Sequence, residues 1–494
     1  MARSRARHSA PAASGARDEL LTFRPSLVGL PSVARLSLGG ETSTKVLLVS
    51  SADDARQLTA AEGFLVSADG RCAESSHVQP WPATAALIVA EVVGTGVLGL
   101  GAQISVLGLP AGLLILCLCY PINLFASLLL SHIHQALPGV VTFGDALGEL
   151  LGPRAACWGY GVLYVYLFMT MTNYMIVLSD SIQMVLYWIR VCRPAAGLVG
   201  ALLLVPTNQL RSLSGLTWLS AISFGTILGT LGICIWELLG DDPNCSGEVR
   251  QAGFLQYAGA VSGFVFAFAG QQIMLEMQAE MSQPSDFPKA VYLAFSLLFV
   301  VYLIVCILSY NACGDGTPGE LLLVLPEGGG AKSVAGMLMV VHLIISYTIL
   351  QQVFNRGLCI AFMPGALEQG PRASAKWFAV TSCSMIACVG LAVSIPLFQD
   401  IVSFTGSLLS TQCSFIIPPV LFLAAKRRQS QSEGGQLSAA SLADKLAVGA
   451  SVGLVVMGGC LMIVGTISSL VVLAENLRKG GNSPLSCHAL ANSI

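Results

Sequence analysis

The chain has 494 residues, of which 54% are hydrophobic and only 11% charged, and its net charge is -2. A soluble surface carries about 25% charged residues, so an array of soluble domains is excluded. The absence of a basic block argues against a nucleic-acid partner, and no CxxC or Cys/His spacing marks a metal or another cofactor.

Residues 1–80 are rich in Ser, Ala, Arg and Gly and hold no apolar stretch long enough to span, a composition that reads as a disordered cytosolic N-terminal tail. Arg3, Arg5, Arg7 and Arg17, with no acid among them, have the flavour of a transit peptide but lack an amphipathic period. No cleavable secretory signal precedes the first apolar helix near Trp81, so the first span is expected to insert the protein.

From Trp81 onward, segments such as Val261 to Met274, Ala375 to Phe398 and Leu446 to Leu473 carry at most one charge each, which is bilayer composition. They show neither period-2 alternation nor aromatic girdles, which selects helices over barrel strands. The expected fold is an all-α membrane protein with a transmembrane domain over 81–476 and a short C-terminal tail over 477–494. About eleven spans are predicted, at 82–106, 109–136, 155–189, 195–210, 216–240, 254–281, 290–313, 333–361, 375–398, 400–425 and 443–476.

With the amino terminus inside, ten Lys and Arg fall in cytoplasmic loops against six outside, and nine more lie in the tail. The shortest span, 195–210, decides this orientation, because losing it would invert everything after it. Outside loops then hold the N-glycosylation sequon Asn244-Cys245-Ser246 and the cysteines Cys192, Cys245 and Cys313. Cys192 with Cys313 and Cys245 with Cys313 are both open as disulfides. Asp180 falls near the outer interface and reads as solvated.

Two spans are interrupted by glycine. The first holds Ala90-Glu91-Val92-Val93-Gly94-Thr95-Gly96-Val97-Leu98-Gly99-Leu100-Gly101, and the sixth holds Gly263-Phe264-Val265-Phe266-Ala267-Phe268-Ala269-Gly270-Gln271-Gln272 followed by Glu276 and Glu280. Broken helices five spans apart are how inverted-repeat transporters make a midplane site: freed amides and half-helix dipoles face a substrate carboxylate, and freed carbonyls can hold a cation. Small residues that only let helices approach closely are the plainer alternative for either glycine run alone.

The stretch Ala90 to Leu98 resembles the first-helix signature of the amino acid/auxin permease family, within the amino acid-polyamine-organocation superfamily. In the sixth span Phe266 to Gln271, Glu276 to Met281 and Phe287-Pro288-Lys289-Ala290 resemble the family's successive motifs in order and spacing. Val341 to Tyr347, Ile395-Pro396-Leu397-Phe398, Gly406 and Pro418-Pro419 extend the similarity over about 80–475. The chain departs at Gly101, Ala269, Gln271 and Leu275, where relatives usually have Pro, Gly, His and Pro.

The resemblance implies two inverted five-helix repeats with spans one and six broken, and transport of small or neutral amino acids, often driven by protons and in some branches by sodium. Carried over by position, Gly94, Thr95 and Gly96 would receive the substrate carboxylate. Phe266, Phe268, Gly270, Gln271 and Tyr347 would form the facing wall and receive the amine. Glu91, an ionisable group inside a span, is a candidate proton acceptor, with Glu276 and Ser346 as further ion-coupling candidates. Asn173 and Tyr174 read equally as site residues or as interhelical glue.

The expected function is a secondary active transporter in the plasma membrane or a vacuolar or lysosomal membrane, partnered by an amino acid, a proton or sodium ion, and the bilayer. A sodium-coupled relative and an amino acid sensor of the same fold are the alternatives; an enzyme is not supported, since no nucleophile and base pair stands out.

Overall fold

A backbone in hydrocarbon must close its own hydrogen bonds, and from Trp81 onward the chain does so almost entirely as helix. The computed structural model describes residues 79–479 apart from short internal stretches, together with three strands ahead of them. The strands, β1 (Thr22–Phe23), β2 (Ser32–Ser37) and β3 (Thr44–Val49), form an antiparallel ladder with Ser32 opposite Val49. Part of the segment expected to be disordered is therefore strand; the remainder of the tail, Arg3, Arg5, Arg7 and Arg17 included, lies outside the described residues. So do Ile395, Pro396, Leu397, Ser246 and residues 480–494.

Fifteen helices follow: α1 (Trp81–Val93), α2 (Gly96–Leu107), α3 (Leu109–Ala136), α4 (Phe143–Leu151), α5 (Pro153–Val185), α6 (Arg193–Thr207), α7 (Leu216–Leu238), α8 (Phe254–Ala267), α9 (Met274–Ala279), α10 (Phe287–Cys313), α11 (Gly330–Phe362), α12 (Pro371–Ser394), α13 (Phe398–Thr405), α14 (Ile417–Ser432) and α15 (Leu442–Lys479). Among the described residues nine helical runs are long and apolar enough to cross a membrane, counting α8 with α9 and α13 with α14 as single runs. A tenth span is the pair α1 and α2, bent by 53°.

Helix α6 is apolar but shorter than these: its 15 residues reach about 22 Å at the α-helical rise. Its two ends lie on opposite sides of the bundle. Arg193 pairs with Asp180 near the end of α5 (2.5 Å), whereas the Asn208 carbonyl beyond the other end accepts from Trp377 Nε1 in α12 (3.3 Å).

The chain thus alternates between a proximal end, where α1 begins, and a distal end. At the proximal end the Gln79 amide donates to Glu280 O (3.1 Å) and the Ser282 amide to Gln79 O (3.0 Å), fastening the start of span one to the end of span six. At the distal end Asn476 Nδ2 donates to Asp400 Oδ2 (2.8 Å), and a disulfide joins Cys245 to Cys313. The neighbouring Asn244 amide donates to Val324 O (2.9 Å). Cys192 is disulfide-bonded as well, to neither of these two.

One helix was absent from the periodicity reading. Helix α4 is nine residues long and begins with a capping box in which Thr142 Oγ1 accepts from the Asp145 amide and Asp145 Oδ2 accepts from the Thr142 amide. Tyr160 of α5 donates to Asp145 Oδ1 (2.5 Å), holding α4 against the bundle.

Span ten has its own irregularity. Pro418 and Pro419 carry no amide hydrogen, and the turns ahead of them widen into π-helix at Gly406–Ser410 and Gln412–Ile416. Here the chain presses against span six. A Cβ on Gly406 would collide with the Ser262 carbonyl oxygen, so only glycine allows this approach. Gly406→Ala should therefore force the two spans apart and cost about 1–3 kcal/mol. Gly390→Ala, in α12 with nothing within 4 Å of the added methyl, should cost nothing. Thermal melts of the two purified variants in detergent check the contrast.

Candidate functional site

The sixth span breaks where the first one does in depth. Helix α1 ends at Val93 and α2 resumes at Gly96; α8 ends at Ala267 and a 3-10 turn at Gln271–Ile273 leads into α9. Span one enters from the proximal end and span six from the distal end, so the two breaks face each other in opposite directions. Gly96 is what lets them meet: a Cβ there would lie 2.7 Å from Ala267 Cα.

Each break strips peptide groups of their helical partners, and three of these find replacements. Tyr302, fully buried on α10, points its hydroxyl at Ala267 O (2.7 Å) and Val92 O (3.1 Å), one carbonyl from each broken span. Gln271 Oε1 accepts from the Gly270 amide (3.1 Å). The same oxygen accepts from Ser414 Oγ (2.6 Å), and Nε2 donates to Asn123 Oδ1 (3.2 Å) and Ser127 Oγ (3.3 Å) on α3.

Between the breaks lies a cavity of about 20 Å³, room for roughly one water molecule. Its lining includes Glu91, Gly94, Thr95, Gly96 and Phe266, which the sequence had singled out, and Tyr174, for which it left two readings. Val92 of α1, Tyr166 and Thr170 of α5, Ala269 and Gln272 of span six and Leu350 of α11 complete the wall. Tyr174 arches over the first break, with its hydroxyl 3.2 Å from where a Cβ of Gly94 would be. Asn173 lies behind the wall and donates to Thr95 Oγ1 (2.9 Å), which fixes the rotamer of the residue that opens α2.

The other sequence candidates lie elsewhere. Phe268 packs edge-on to the Tyr302 ring (5.0 Å between centroids) and Gly270 packs against Val92. Gln271 belongs to the α3 network just described. Tyr347 turns its hydroxyl toward Cys388 of α12, and Ser346 bonds to Ser223 Oγ on α7 (3.1 Å), which in turn contacts His342 Nδ1 (2.9 Å). Glu276 is on the proximal side of the cavity, in the surroundings of Tyr164, Asp145 and Glu280. Asp180 is not solvated as its position suggested: its side chain is 15% exposed and ion-paired to Arg193.

Of the lining residues that sequence reasoning passed over, Tyr166 and Thr170 had a signal. With Asn173 and Tyr174 they make a polar stripe at helical spacing on an otherwise apolar span. Tyr302 had none, being a lone tyrosine in an apolar run.

The electrostatics of the cavity follow from helix ends. Helix α2 starts at its rim, so unpaired amides and the positive end of a 12-residue dipole are directed there. The carboxyl end of α1 meets the same space with partial negative charge, and Glu91 sits two residues before it. Glu91 has no ion-pair partner among the described residues. The arrangement sets partial positive charge at the start of α2 against partial negative charge at the ends of α1 and α8, with no group placed for covalent chemistry among the described residues.

Polar fastenings stand on both sides of the cavity. On the distal side Gln103 Nε2 donates to Gln399 Oε1 (2.5 Å), and Gln399 Nε2 donates to Gly99 O (3.3 Å) and to Gly319 O in the loop between α10 and α11. On the proximal side stands the Gln79 fastening to span six.

The family described as "Transmembrane amino acid transporter protein" matches residues 77–469. Among curated proteins of Arabidopsis thaliana, "Amino acid transporter AVT1C" is 23% identical, the match covering 74% of this chain and 65% of the relative. "Lysine histidine transporter-like 4" is 23% identical, with 79% and 88% covered. This chain spans just under two thirds of the length of the first of these. A looser likeness in solved structures is a mutant of the Eremococcus coleocola manganese transporter, at a TM-score of 0.45 and 11% identity, covering 79% of this chain and 94% of that one. With the family matched across nearly the whole helical region, the chain belongs to the transmembrane amino acid transporter proteins.

Proposed function

We propose that this chain is a secondary active transporter of small or neutral amino acids, coupled to protons, and that it works by alternating access. One observation carries the reading: the amino-terminal end of α2 and the carboxyl-terminal ends of α1 and α8 converge on a cavity that also holds Glu91. An α-amino acid has its two charges on one carbon, and opposed helix ends across a few ångströms match that pattern in a place where full counter-charges would be costly to bury. The names of the relatives support amino acids as the cargo.

At about 20 Å³ the cavity is far too small for an amino acid, so binding requires spans one and six to part. Residues of span three and Leu350 of span eight would form the wall against which they move. The fastenings on its two sides are the contacts that would loosen in turn, opening the site first to one face and then to the other. Glu91 fits the role of proton acceptor, because neutralising it removes an unpaired carboxylate from the bilayer interior. The membrane is the plasma membrane or a vacuolar or lysosomal one, with the amino terminus on the cytosolic side. The sequon at Asn244 then faces outward as a glycosylation site.

Proteoliposomes with an imposed pH gradient should accumulate labelled small neutral amino acids, and replacing sodium with choline should leave the uptake unchanged while a protonophore abolishes it. Collapse on the sodium swap would assign the coupling ion to sodium instead; no accumulation across a panel of amino acids would remove the transport reading. Glu91→Gln should reduce gradient-driven uptake by about tenfold or more while counterflow exchange persists. Equal loss of both would assign Glu91 a bracing role.

A further inference from the structure

The distal end holds a second set of ionisable groups, remote from the cavity. Asp180 of α5 and Arg193 at the start of α6 are ion-paired at 2.5 Å. The loop from Gly314 to Leu325, between α10 and α11, brings in Glu320, which is 3% exposed. The Glu320 and Asp180 carboxyls lie within hydrogen-bonding reach of each other. Buried Glu320 Oε1 has no hydrogen-bond donor. Two carboxylates facing one guanidinium leave a negative charge out of water, and neither can donate to the other unless a proton lies between them.

We propose that Asp180 and Glu320 form a proton-binding site, and that the shared proton latches the loop over the distal end of the cavity. The loop is built for that part. Its own Leu321, Leu322, Val324 and Leu325 are buried, and its Gly319 carbonyl is the one held by Gln399 above the first span. Tearing Glu320 away from Asp180 therefore loosens the distal seal directly.

The other ionisable groups around the loop do not supply the missing charge. From α7, Cys234 adjoins Glu320 and Glu237 adjoins Cys234, and neither carries positive charge. From α11, Lys332 is buried with interactions of its own, and α2 contributes no titratable group among the residues that line the loop. Burial and the adjacent Asp180 hold the Glu320 carboxyl well above the ordinary carboxylate range, with Arg193 opposing. The sign follows: the latch is at full strength below the carboxyl pKa of the open loop and weakens as pH rises toward the raised value of the closed one.

This inference rests on the contacts of the loop and not on what the cavity carries, so its test is made without substrate. The purified full chain in nanodiscs is exchanged in deuterated buffer from pH 5 to pH 9, and the peptide covering 314–325 is followed by mass spectrometry after correction for intrinsic rates. In the wild type the loop should lose at least tenfold of its protection across the range while α5 and α10 keep theirs. Glu320→Gln, whose amide donates to Asp180 without a titrating proton, should stay protected throughout, and Glu320→Ala should be unprotected throughout. A wild-type loop with constant protection overturns the proposal, as does a Glu320→Gln loop that still titrates. A titrating loop in a protein that accumulates no amino acid would leave this site standing and remove the transport reading.

Discussion

A peptide group released from its helix inside hydrocarbon costs about 1–3 kcal/mol if nothing replaces its partner, and this chain releases several at one depth. Everything about the site is a response to that constraint. Tyr302 reaches Val92 and Ala267, Gln271 reaches Gly270, and Asn173 fixes Thr95. The groups left unreplaced cluster at the start of α2, around the cavity. A transporter that bared more of its backbone would be unstable, and one that bared less would have nothing to offer a zwitterion.

The partners that stabilise the breaks come from spans two, three, seven and ten, so the site is an assembly of the whole bundle. Gln271 ties span six to span two and to the π-helical turns of span ten through Ser414. Widened turns there have a second effect, since they allow Gly406 to rest on the Ser262 carbonyl. Movement of span six is thus linked to span ten by backbone contact and to span two by hydrogen bonds.

The sequence was most informative where a single physical quantity dominates. Apolar length located ten of the spans within a few residues, and glycine spacing located both interruptions. Rotation about the helix axis was not legible, because a break erases the 100° per residue phase that periodicity relies on. Phe266 and Ala269 therefore face the cavity, while Phe268 and Gly270, read as equals of Phe266, turn toward Tyr302 and Val92. Tyr302 was invisible for another reason: its acceptors lie 210 and 35 residues away in the chain. Asp180 was misjudged because the fold, not the local sequence, brings Arg193 and Glu320 to it. Helix α4 was legible from Thr142 and Asp145, but is too short for apolar periodicity to register.

Helix α6 has a consequence for the lipid around it. At about 22 Å it falls short of the roughly 30 Å of a typical hydrocarbon layer. Its outward residues Leu198 and Leu202 are 60% and 70% exposed, which leaves an apolar flank on the outside of the bundle. A helix this short meets such a layer by thinning it, by snorkelling of flanking residues or by association, and the elastic cost of thinning falls as the membrane becomes thinner. That asymmetry gives the protein a preferred bilayer thickness, and a side on which short-chain lipids will gather.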